Sequence, residues 1–354
     1  MKQDIFRNLQ ERLDTYSLGF PATQSGVEIE ILKRLFCEED AELFLALTPI
    51  LEDPQSIAKR LDKPVDELSA HLEKMSSKGL LFRLKKGDSV KYGAIPFMHG
   101  LLEFQIKRLD SKMVELFERY YDEEFHKAII GSSDIFLRTI PVNESVDIQA
   151  NVAPYEDACE ILRNTKLIVV ADCICRKERG MIGQACSRPV ETCFMFGSMA
   201  QYYLDHNMGR KVDADEAIKI LEEAHKAGLV TQPATSQNPS GMCNCCGDCC
   251  GILRAVKRLP EPASHIFSNY YATVDEDACT GCGICEERCQ MDAVRLDDED
   301  IARIDLKRCI GCGLCITTCP VEALSLVKKQ EYRIPPATSA EQMMLMAHNR
   351  GIHF

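Results

Sequence analysis

The sequence predicts an α+β protein of several domains, and three observations support this prediction. Apolar residues recur at helical spacing from residue 27 to residue 78. The apolar period changes to two directly after Gly79, as expected for a β-hairpin. Cysteines gather in the second half of the chain at spacings typical of metal ligands. We predict five segments, which are 1–96, 97–130, 131–268, 269–330 and 331–354.

Composition limits the class of protein. The 354 residues are 45% hydrophobic and 27% charged, as in globular proteins, and they include 19 cysteines. The cysteines cluster in a chain too long to need a disulfide framework, and neither a signal peptide nor an apolar run of membrane-spanning length is present. We therefore expect a cytoplasmic protein. The net charge of −12 argues against nonspecific nucleic-acid binding and is compatible with docking on a basic redox partner.

The first segment has a recognisable order of elements. The pattern predicts helices over 27–36, 39–47, from Pro54 onward and over 65–78, followed by strands over 80–84 and 89–94. This order resembles a winged helix-turn-helix domain covering 27–95. The resemblance implies DNA binding, with 65–78 in the major groove and the Lys85-Lys86 wing on phosphates.

Charge argues against DNA binding by this segment. The candidate recognition helix carries three acids against two bases, namely Asp66, Glu67 and Glu73 against Lys74 and Lys78. Its acidic first turn would face phosphates. We therefore favour a winged helix that makes protein contacts, with DNA binding as the alternative. The next segment, 97–130, is predicted to be one long connecting helix whose apolar stripe lies in the core or forms a homodimer seam.

The third segment is predicted to be a cysteine-rich α/β domain. Strand character over 135–142 and a helix over 154–162 precede the strand 167–170, which leads to a loop carrying Cys173, Cys175 and Arg176. With Cys186 and Cys193, these cysteines form a plausible four-thiolate site. Arg176 is expected to donate hydrogen bonds to cluster sulfurs or to bind an anion. The isolated Cys37 and Cys159 are expected to be small buried hydrophobic residues.

A second group of cysteines follows a helix that we predict to begin at Asp213, with Glu216 in a capping box, and to end at Gly228. Five thiols then occur within eight residues: Cys243, Cys245, Cys246, Cys249 and Cys250. Adjacent cysteines do not easily reach the same face of a small cluster. Part of this set should therefore ligate one centre, and the remainder should either serve a second centre or complete the Cys173 site. We expect one further iron-sulfur cluster; zinc or free reduced thiols are the alternatives.

The fourth segment contains the same spacing, C-x2-C-x2-C-x3-C, twice. The first run is Cys279, Cys282, Cys285 and Cys289, and the second is Cys309, Cys312, Cys315 and Cys319. Three thiolates of each run can hold one 4Fe-4S cluster, and the fourth ligates the other cluster. Cluster I is thus expected on Cys279, Cys282, Cys285 and Cys319, and cluster II on Cys309, Cys312, Cys315 and Cys289. Zinc is the alternative, but it does not need the third spacing.

Residues 271–329 resemble a bacterial two-cluster ferredoxin, which implies a dicluster ferredoxin-like fold and electron transfer. Pro320 follows Cys319 as that family requires, whereas Gln290 follows Cys289 in place of proline. The motifs CxCR and CNCCxxCC before such a domain resemble an uncharacterised family of 4Fe-4S proteins from anaerobes. They are more weakly similar to the cysteine-rich domains of heterodisulfide reductase catalytic subunits, whose spacing is wider.

These features lead to three functional hypotheses. The first is electron transfer through two 4Fe-4S clusters to or from the middle centre and a partner oxidoreductase. No nucleotide-binding glycine loop follows a strand, so a flavin would be carried by that partner. The second is a reductase with an open iron site in the middle domain, and the third is a redox-sensing winged-helix regulator. The methionine-rich helix predicted in 331–354 is expected to dock on its own domain or on a partner.

Overall fold

A computed structural model describes residues 4–132, 136–145 and 153–352 and shows a mixed α+β fold. The first part contains five helices and a hairpin. The helices are α1 (Ile5–Asp14), α2 (Val27–Leu35), α3 (Glu38–Ala46), α4 (Pro54–Leu61) and α5 (Val65–Ser77). Strands β1 (Phe82–Lys86) and β2 (Ser89–Gly93) pair antiparallel. The predicted positions of α2 to α5 and of the hairpin are confirmed, whereas α1 was not predicted.

Local chemistry sets the boundaries of these helices. The Asp53 carboxylate accepts a hydrogen bond from the backbone N–H of Ser56 at 2.8 Å, which caps α4, and Pro54 occupies the first turn. Gly79 follows α5 with φ of +73°, and a Cβ there would lie 2.7 Å from the carbonyl oxygen of Phe104. Cys37 caps α3 and is exposed, so the expectation that it is buried was wrong.

The long helix predicted over 97–130 is wrong. The backbone is non-helical at Met98, His99 and Gly100, and a new helix, α6 (Ser111–Tyr120), starts where the Asp110 carboxylate accepts from the N–H of Met113. A π-helical turn (Tyr121–Phe125) and α7 (His126–Gly131) follow. A glycine and a capping aspartate thus interrupt an apolar stripe that otherwise has helical spacing. The stripe residues Leu101, Phe104, Met113, Leu116, Tyr120 and Phe125 are buried within the chain, so they do not form an exposed dimer seam.

The middle part contains a five-stranded sheet in the order β5-β3-β4-β7-β6, formed by β3 (Ile168–Asp172), β4 (Glu191–Phe196), β5 (Arg210–Val212), β6 (Val230–Pro233) and β7 (Gly241–Cys245). Every pairing is antiparallel, so the α/β description of this segment was wrong. Its helices are α8 (Ala158–Asn164), α9 (Ile174–Met181), α10 (Gly197–Asp205), α11 (Ala214–Lys226) and α12 (Gly251–Lys257).

Three other predictions for this part met different outcomes. The Asp213 carboxylate accepts from the N–H of Glu216 at 2.9 Å, which confirms the start of α11. The strand expected over 135–142 consists, among its described residues, of isolated bridges at Leu137 and Arg138, and Ile135 lies outside the described residues. Cys159 lies in α8 and is half-buried rather than fully buried.

The last part has two antiparallel strand pairs and two helices. Strand β8 (Tyr270–Val274) pairs with β11 (Leu324–Lys328), and β9 (Val294–Leu296) pairs with β10 (Ala302–Ile304). Along the chain, the short helix α13 (Ile284–Arg288) lies between β8 and β9. The helix α14 (Ser339–Asn349) confirms the predicted tail helix. Arg350 after α14 donates to the carbonyl oxygens of Asp14 and Ser17, so the tail packs on the N-terminal part. Among the described residues no helix is both long and apolar enough to cross a membrane.

The hairpin and α5 pack on the middle part through α10. The Tyr202 hydroxyl lies 3.0 Å from the carbonyl oxygens of Ser76 and Leu81, and its ring lies 5.3 Å from that of Phe82. Arg83 forms ion pairs with both Glu73 and Asp205, at 2.5 Å in the second case. These contacts place β1, the first strand of the hairpin, in an interface within the chain.

Candidate metal centres

The first ferredoxin-type cavity contains cysteines from both runs. It is lined by Cys279, Cys282 and Cys285 of the first run and by Cys319, the fourth cysteine of the second run. The remaining lining is mostly apolar and includes Val274, Leu296 and Leu324 from three strands. The chain therefore brings together the four residues predicted for cluster I.

The cysteines of the second set are less exposed than those of the first. Cys309 and Cys315 are buried and Cys312 is half-buried. Burial raises the pKa of Cys312 to about 12, and the nearby Cys289 and Cys309 thiols contribute to the rise. Burial raises the pKa of Cys315 as well, with further contributions from Cys312, Cys309 and Cys289. Cys289 of the first run thus lies with the three clustered cysteines of the second run. Because low dielectric disfavours isolated thiolates, this donor set fits a cationic cluster core.

The backbone around the two sets repeats its pattern. Four N–H groups point at thiol sulfurs, at N···S distances of 3.2 Å for Ala293 to Cys289, 3.3 Å for Ala323 to Cys319, 3.4 Å for Ala272 to Cys309 and 3.5 Å for Ala302 to Cys279. Such N–H groups stabilise negative charge on cluster sulfurs. Gly281 and Gly311 have φ of +66° and +64°, and a Cβ at either would lie within 2.3 Å of a backbone oxygen. Glycine is required at both turns.

Nine further cysteines in the middle part form two groups. The first, which we term the six-thiol group, comprises Cys173, Cys175, Cys193, Cys243, Cys245 and Cys250, which line one small cavity. Side-chain interactions connect them in a closed ring in the order Cys173, Cys175, Cys250, Cys245, Cys243, Cys193 and back to Cys173. Strands β4 and β7 and the starts of α9 and α12 carry these residues.

Two members of the six-thiol group occupy equivalent positions. Cys173 is the N-cap residue of α9 and Cys250 is the N-cap residue of α12, although neither sulfur makes a capping hydrogen bond. Hydrogen bonds from neighbouring thiols are the main cause that holds the pKa of both well below the usual range, against the effect of burial. Cys173 and Cys175 therefore lie at the start of a helix. The prediction that they lie on a loop was wrong.

The six thiols are linked by hydrogen bonds, and burial opposes the ionisation of every one of them by raising its pKa. Six buried thiols cannot all ionise side by side without positive charge to balance them. The donor set consequently fits a multinuclear metal centre with soft thiolate ligands.

The second group, which we term the three-thiol group, comprises Cys186, Cys246 and Cys249. Their sulfurs lie within 4.8 Å of one another, and those of Cys186 and Cys246 are 3.7 Å apart. Hydrogen bonding from Cys249 lowers the pKa of Cys246 to about 6. Four thiolates around Zn²⁺, with Zn–S bonds of about 2.3 Å, would have sulfurs about 3.8 Å apart. The three-thiol group therefore fits a single tetrahedral ion better than a cubane cluster, which holds its thiolates farther apart.

Adjacent cysteines divide between the groups. Cys245 and Cys250 belong to the six-thiol group, whereas Cys246 and Cys249, which lie between them, belong to the three-thiol group. Strand β7 ends at Cys245, and Cys246 and Cys249 lie in the turn between β7 and α12. The expectation that only part of this run reaches one centre agrees with this arrangement. The predicted four-thiolate set does not, because Cys186 lies apart from Cys173, Cys175 and Cys193.

Arg176 lies fully buried between the two groups. Its guanidinium donates to the carbonyl oxygen of Asn244 at 3.0 Å and to the hydroxyl of Thr192. Burial opposes its positive charge, but the thiols Cys173, Cys193, Cys245 and Cys246 outweigh that effect and raise its pKa. The predicted hydrogen bonds from Arg176 to sulfur are not among its described contacts. Its contribution is a fixed positive charge beside both groups.

Sequence reasoning missed two residues beside the six-thiol group. The imidazole of His99 interacts with Cys243, stacks on Phe136 with ring centroids 4.5 Å apart, and lies 3.8 Å from the Glu103 carboxylate. Glu103 is buried and accepts from the N–H of Gly100 at 2.7 Å. Their i, i+4 spacing is a weak signal in sequence, and the break in the predicted helix is what turns His99 toward the cysteines.

The ferredoxin-type part and the middle part meet at Gln290. Its side-chain oxygen accepts a hydrogen bond of 2.9 Å from the buried N–H of Gly247, between Cys246 and Cys249. A Cβ at Gly247 would lie 2.3 Å from the carbonyl oxygen of Gln290. Arg288 donates to the carbonyl oxygens of His225 and Lys226 at the end of α11. The residue in the usual proline position thus binds the loop of the three-thiol group.

Comparison with known proteins supports one part of the chain. A family model described as a 4Fe-4S dicluster domain matches residues 272–326. No curated protein and no solved structure matches the chain. The chain therefore carries a C-terminal ferredoxin-like iron-sulfur domain with a role in electron transfer, and 4Fe-4S clusters supply one-electron chemistry there.

Proposed function

We propose that this protein transfers electrons between a partner oxidoreductase and an additional metal centre on the six-thiol group, through two ferredoxin-type 4Fe-4S clusters. Cluster I would be held by Cys279, Cys282, Cys285 and Cys319, and cluster II by Cys309, Cys312, Cys315 and Cys289. The observation that carries this proposal is the hydrogen bond between Gln290 and Gly247. It fixes the turn after Cys289 directly against the cysteine-rich loop of the middle part. Cys245 and Cys250 of the six-thiol group flank this loop, so the contact holds the turn after Cys289 near the chain segment that carries them, which favours electron exchange.

The residues around the six-thiol group would bind and tune its centre. We propose that the centre is a further iron-sulfur cluster, because thiolates at this density suit iron and sulfide. The buried charge of Arg176 would favour the more negative, reduced state. The three-thiol group would hold a separate single ion such as Zn²⁺, which has no redox chemistry and would fasten the loop that binds Gln290.

The N-terminal part would act as a protein-contact module. Arg83 and Tyr202 attach the hairpin and α5 to the middle part, and Lys78 is paired with Asp40 at 2.7 Å. One of the two bases on the candidate recognition segment is therefore already neutralised. These contacts favour docking over DNA recognition.

Rapid-freeze EPR during reduction tests the electron path. A low-potential ferredoxin-type donor should reduce the middle centre of the wild-type protein quickly, and Cys289→Ser should slow that reduction strongly. Dithionite, a small reductant that can reach the centre without the dicluster domain, should still reduce the variant. Equal rates with the protein donor in both forms would contradict the proposed path.

A further inference from the structure

A large cavity adjoins the six-thiol group. It has a volume of about 310 Å³ and lies between the N-terminal part, the middle sheet and α14. Protein interiors hold few voids larger than a water molecule, and ligand sites start at about 300 Å³. A cavity of this size in an otherwise close-packed region is therefore typical of a ligand site.

The walls of the cavity are mainly apolar and aromatic. Six aromatic residues contribute to them: Tyr16, Phe82, Phe104, Phe136, Phe194 and Tyr203. Such a lining disfavours a charged occupant, because burying an unpaired charge in apolar surroundings is costly. It favours a planar, uncharged organic molecule, which can pack against the rings.

Polar groups gather where the cavity meets the six-thiol group. His99, Glu103 and Cys243 line both the large cavity and the small cavity of the six thiols. The Nδ1 atom of His99 is buried and has no hydrogen-bond partner. The apolar walls disfavour a carboxylate, whereas a neutral carbonyl oxygen can accept a hydrogen bond from the imidazole of His99.

We propose that this cavity binds a neutral aromatic carbonyl compound, with its oxygen at His99 and its rings between the aromatic walls. The inference rests on the proposed function in one respect, since the bound molecule would lie against the metal centre held by Cys243 and its neighbours. The proposal names the class of small molecule that would bind next to this centre.

The mouth of the cavity offers positions for blocking variants. Ser198 on α10 and Met343 on α14 both line the cavity and are exposed, so a larger side chain at either does not disturb the core. Lys219 on α11 is exposed and does not line the cavity, which makes Lys219→Trp the matched control.

Anaerobic equilibrium dialysis of the full-length holoprotein with prodan, a neutral naphthyl ketone, tests the proposal. We expect saturable binding of one molecule per chain, binding at least about tenfold weaker in Ser198→Trp and Met343→Trp, and no change in Lys219→Trp. The analogue 6-propyl-2-(dimethylamino)naphthalene, in which a CH₂ group replaces the carbonyl, should bind about three- to tenfold more weakly than prodan. His99→Phe should remove that difference. The proposal is overturned if prodan shows no saturable binding to the wild type, or if the blocking variants bind prodan as tightly as the wild type does.

A second readout separates this inference from the proposed function. Prodan should shift the EPR signal of the reduced middle centre, and binding without any shift would overturn the placement beside the six-thiol group. Iron analysis of the same samples decides the other question. Intact prodan binding with no iron beyond the two ferredoxin-type clusters would contradict the proposed function and leave the cavity's ligand class standing.

Discussion

The side-chain oxygen of Gln290 accepts a hydrogen bond from the N–H of Gly247 at 2.9 Å, in a buried contact between two cysteine-bearing turns. Proline at this position, as in two-cluster ferredoxins, would remove the acceptor. The substitution that looked like a local departure in the sequence is therefore an interdomain contact.

Gln290→Leu should weaken that contact. It leaves a buried N–H without an acceptor, which costs about 1–3 kcal/mol of stability. We expect a lower anaerobic melting temperature and slower reduction of the middle centre by a protein donor. Gln330→Leu makes the same change at an exposed position, so it is the matched control and should melt like the wild type. A melting temperature unchanged in Gln290→Leu would refute the role assigned to this side chain.

Gly311→Ala should prevent assembly of the ferredoxin-type domain. A Cβ at Gly311 would lie 2.1 Å from the carbonyl oxygen of Tyr270, and no flexible side chain can relieve that overlap. We expect the loss of at least about four iron atoms per chain, measured by iron analysis. Gly131→Ala, where nothing lies within 4 Å of the added Cβ, should retain all iron. Full iron content in Gly311→Ala would show that the turn is not constrained as described.

Arg176→Gln should lower the midpoint potential of the middle centre. Loss of a buried positive charge beside Cys173 and Cys193 destabilises the reduced state, which carries more negative charge. Arg176→Lys retains the charge but not the paired hydrogen bonds to Asn244 and Thr192, so its potential should stay closer to that of the wild type. EPR-monitored redox titration measures both. Identical potentials in the wild type and Arg176→Gln would argue against electrostatic tuning.

The N-terminal part should not bind DNA. An electrophoretic mobility shift assay with the DNA upstream of the gene, run anaerobically and after exposure to air, should give no salt-sensitive shift in either state. The reason is the acidic first turn of α5 and the pairing of Lys78 with Asp40. A salt-sensitive shift in either state would instead support the redox-sensing regulator.

Much of the architecture could be predicted from the sequence because its signals are local. Asp53-Pro54 and Gly79 mark helix ends through backbone chemistry, and the repeated cysteine spacing identifies the dicluster domain without tertiary information. The prediction of one helix over 97–130 was wrong because apolar spacing does not reveal the helix break at Gly100 or the new helix start at Asp110. The burial of that segment also depends on contacts distant in sequence.

The division of the middle cysteines could not be predicted from spacing. Cys186 joins Cys246 and Cys249 because α9 and the turn after it carry it away from Cys173, and sequence distance does not encode that path. The position of His99 beside Cys243 likewise depends on how a non-helical turn packs against β7. The one local signal was that adjacent cysteines, such as Cys245 and Cys246, do not easily reach the same face of a small cluster.

Metal and acid-labile sulfide analysis of three anaerobically purified proteins tests the central claim most directly. The wild type should contain about twelve or more iron atoms and about one zinc ion per chain. Cys245→Ser should lose iron from the six-thiol centre and keep zinc, whereas its neighbour Cys246→Ser should lose zinc and keep iron. About eight iron atoms in the wild type, or loss of the same metal from both variants, would contradict an electron-transfer protein with a separate iron-sulfur centre on the six-thiol group.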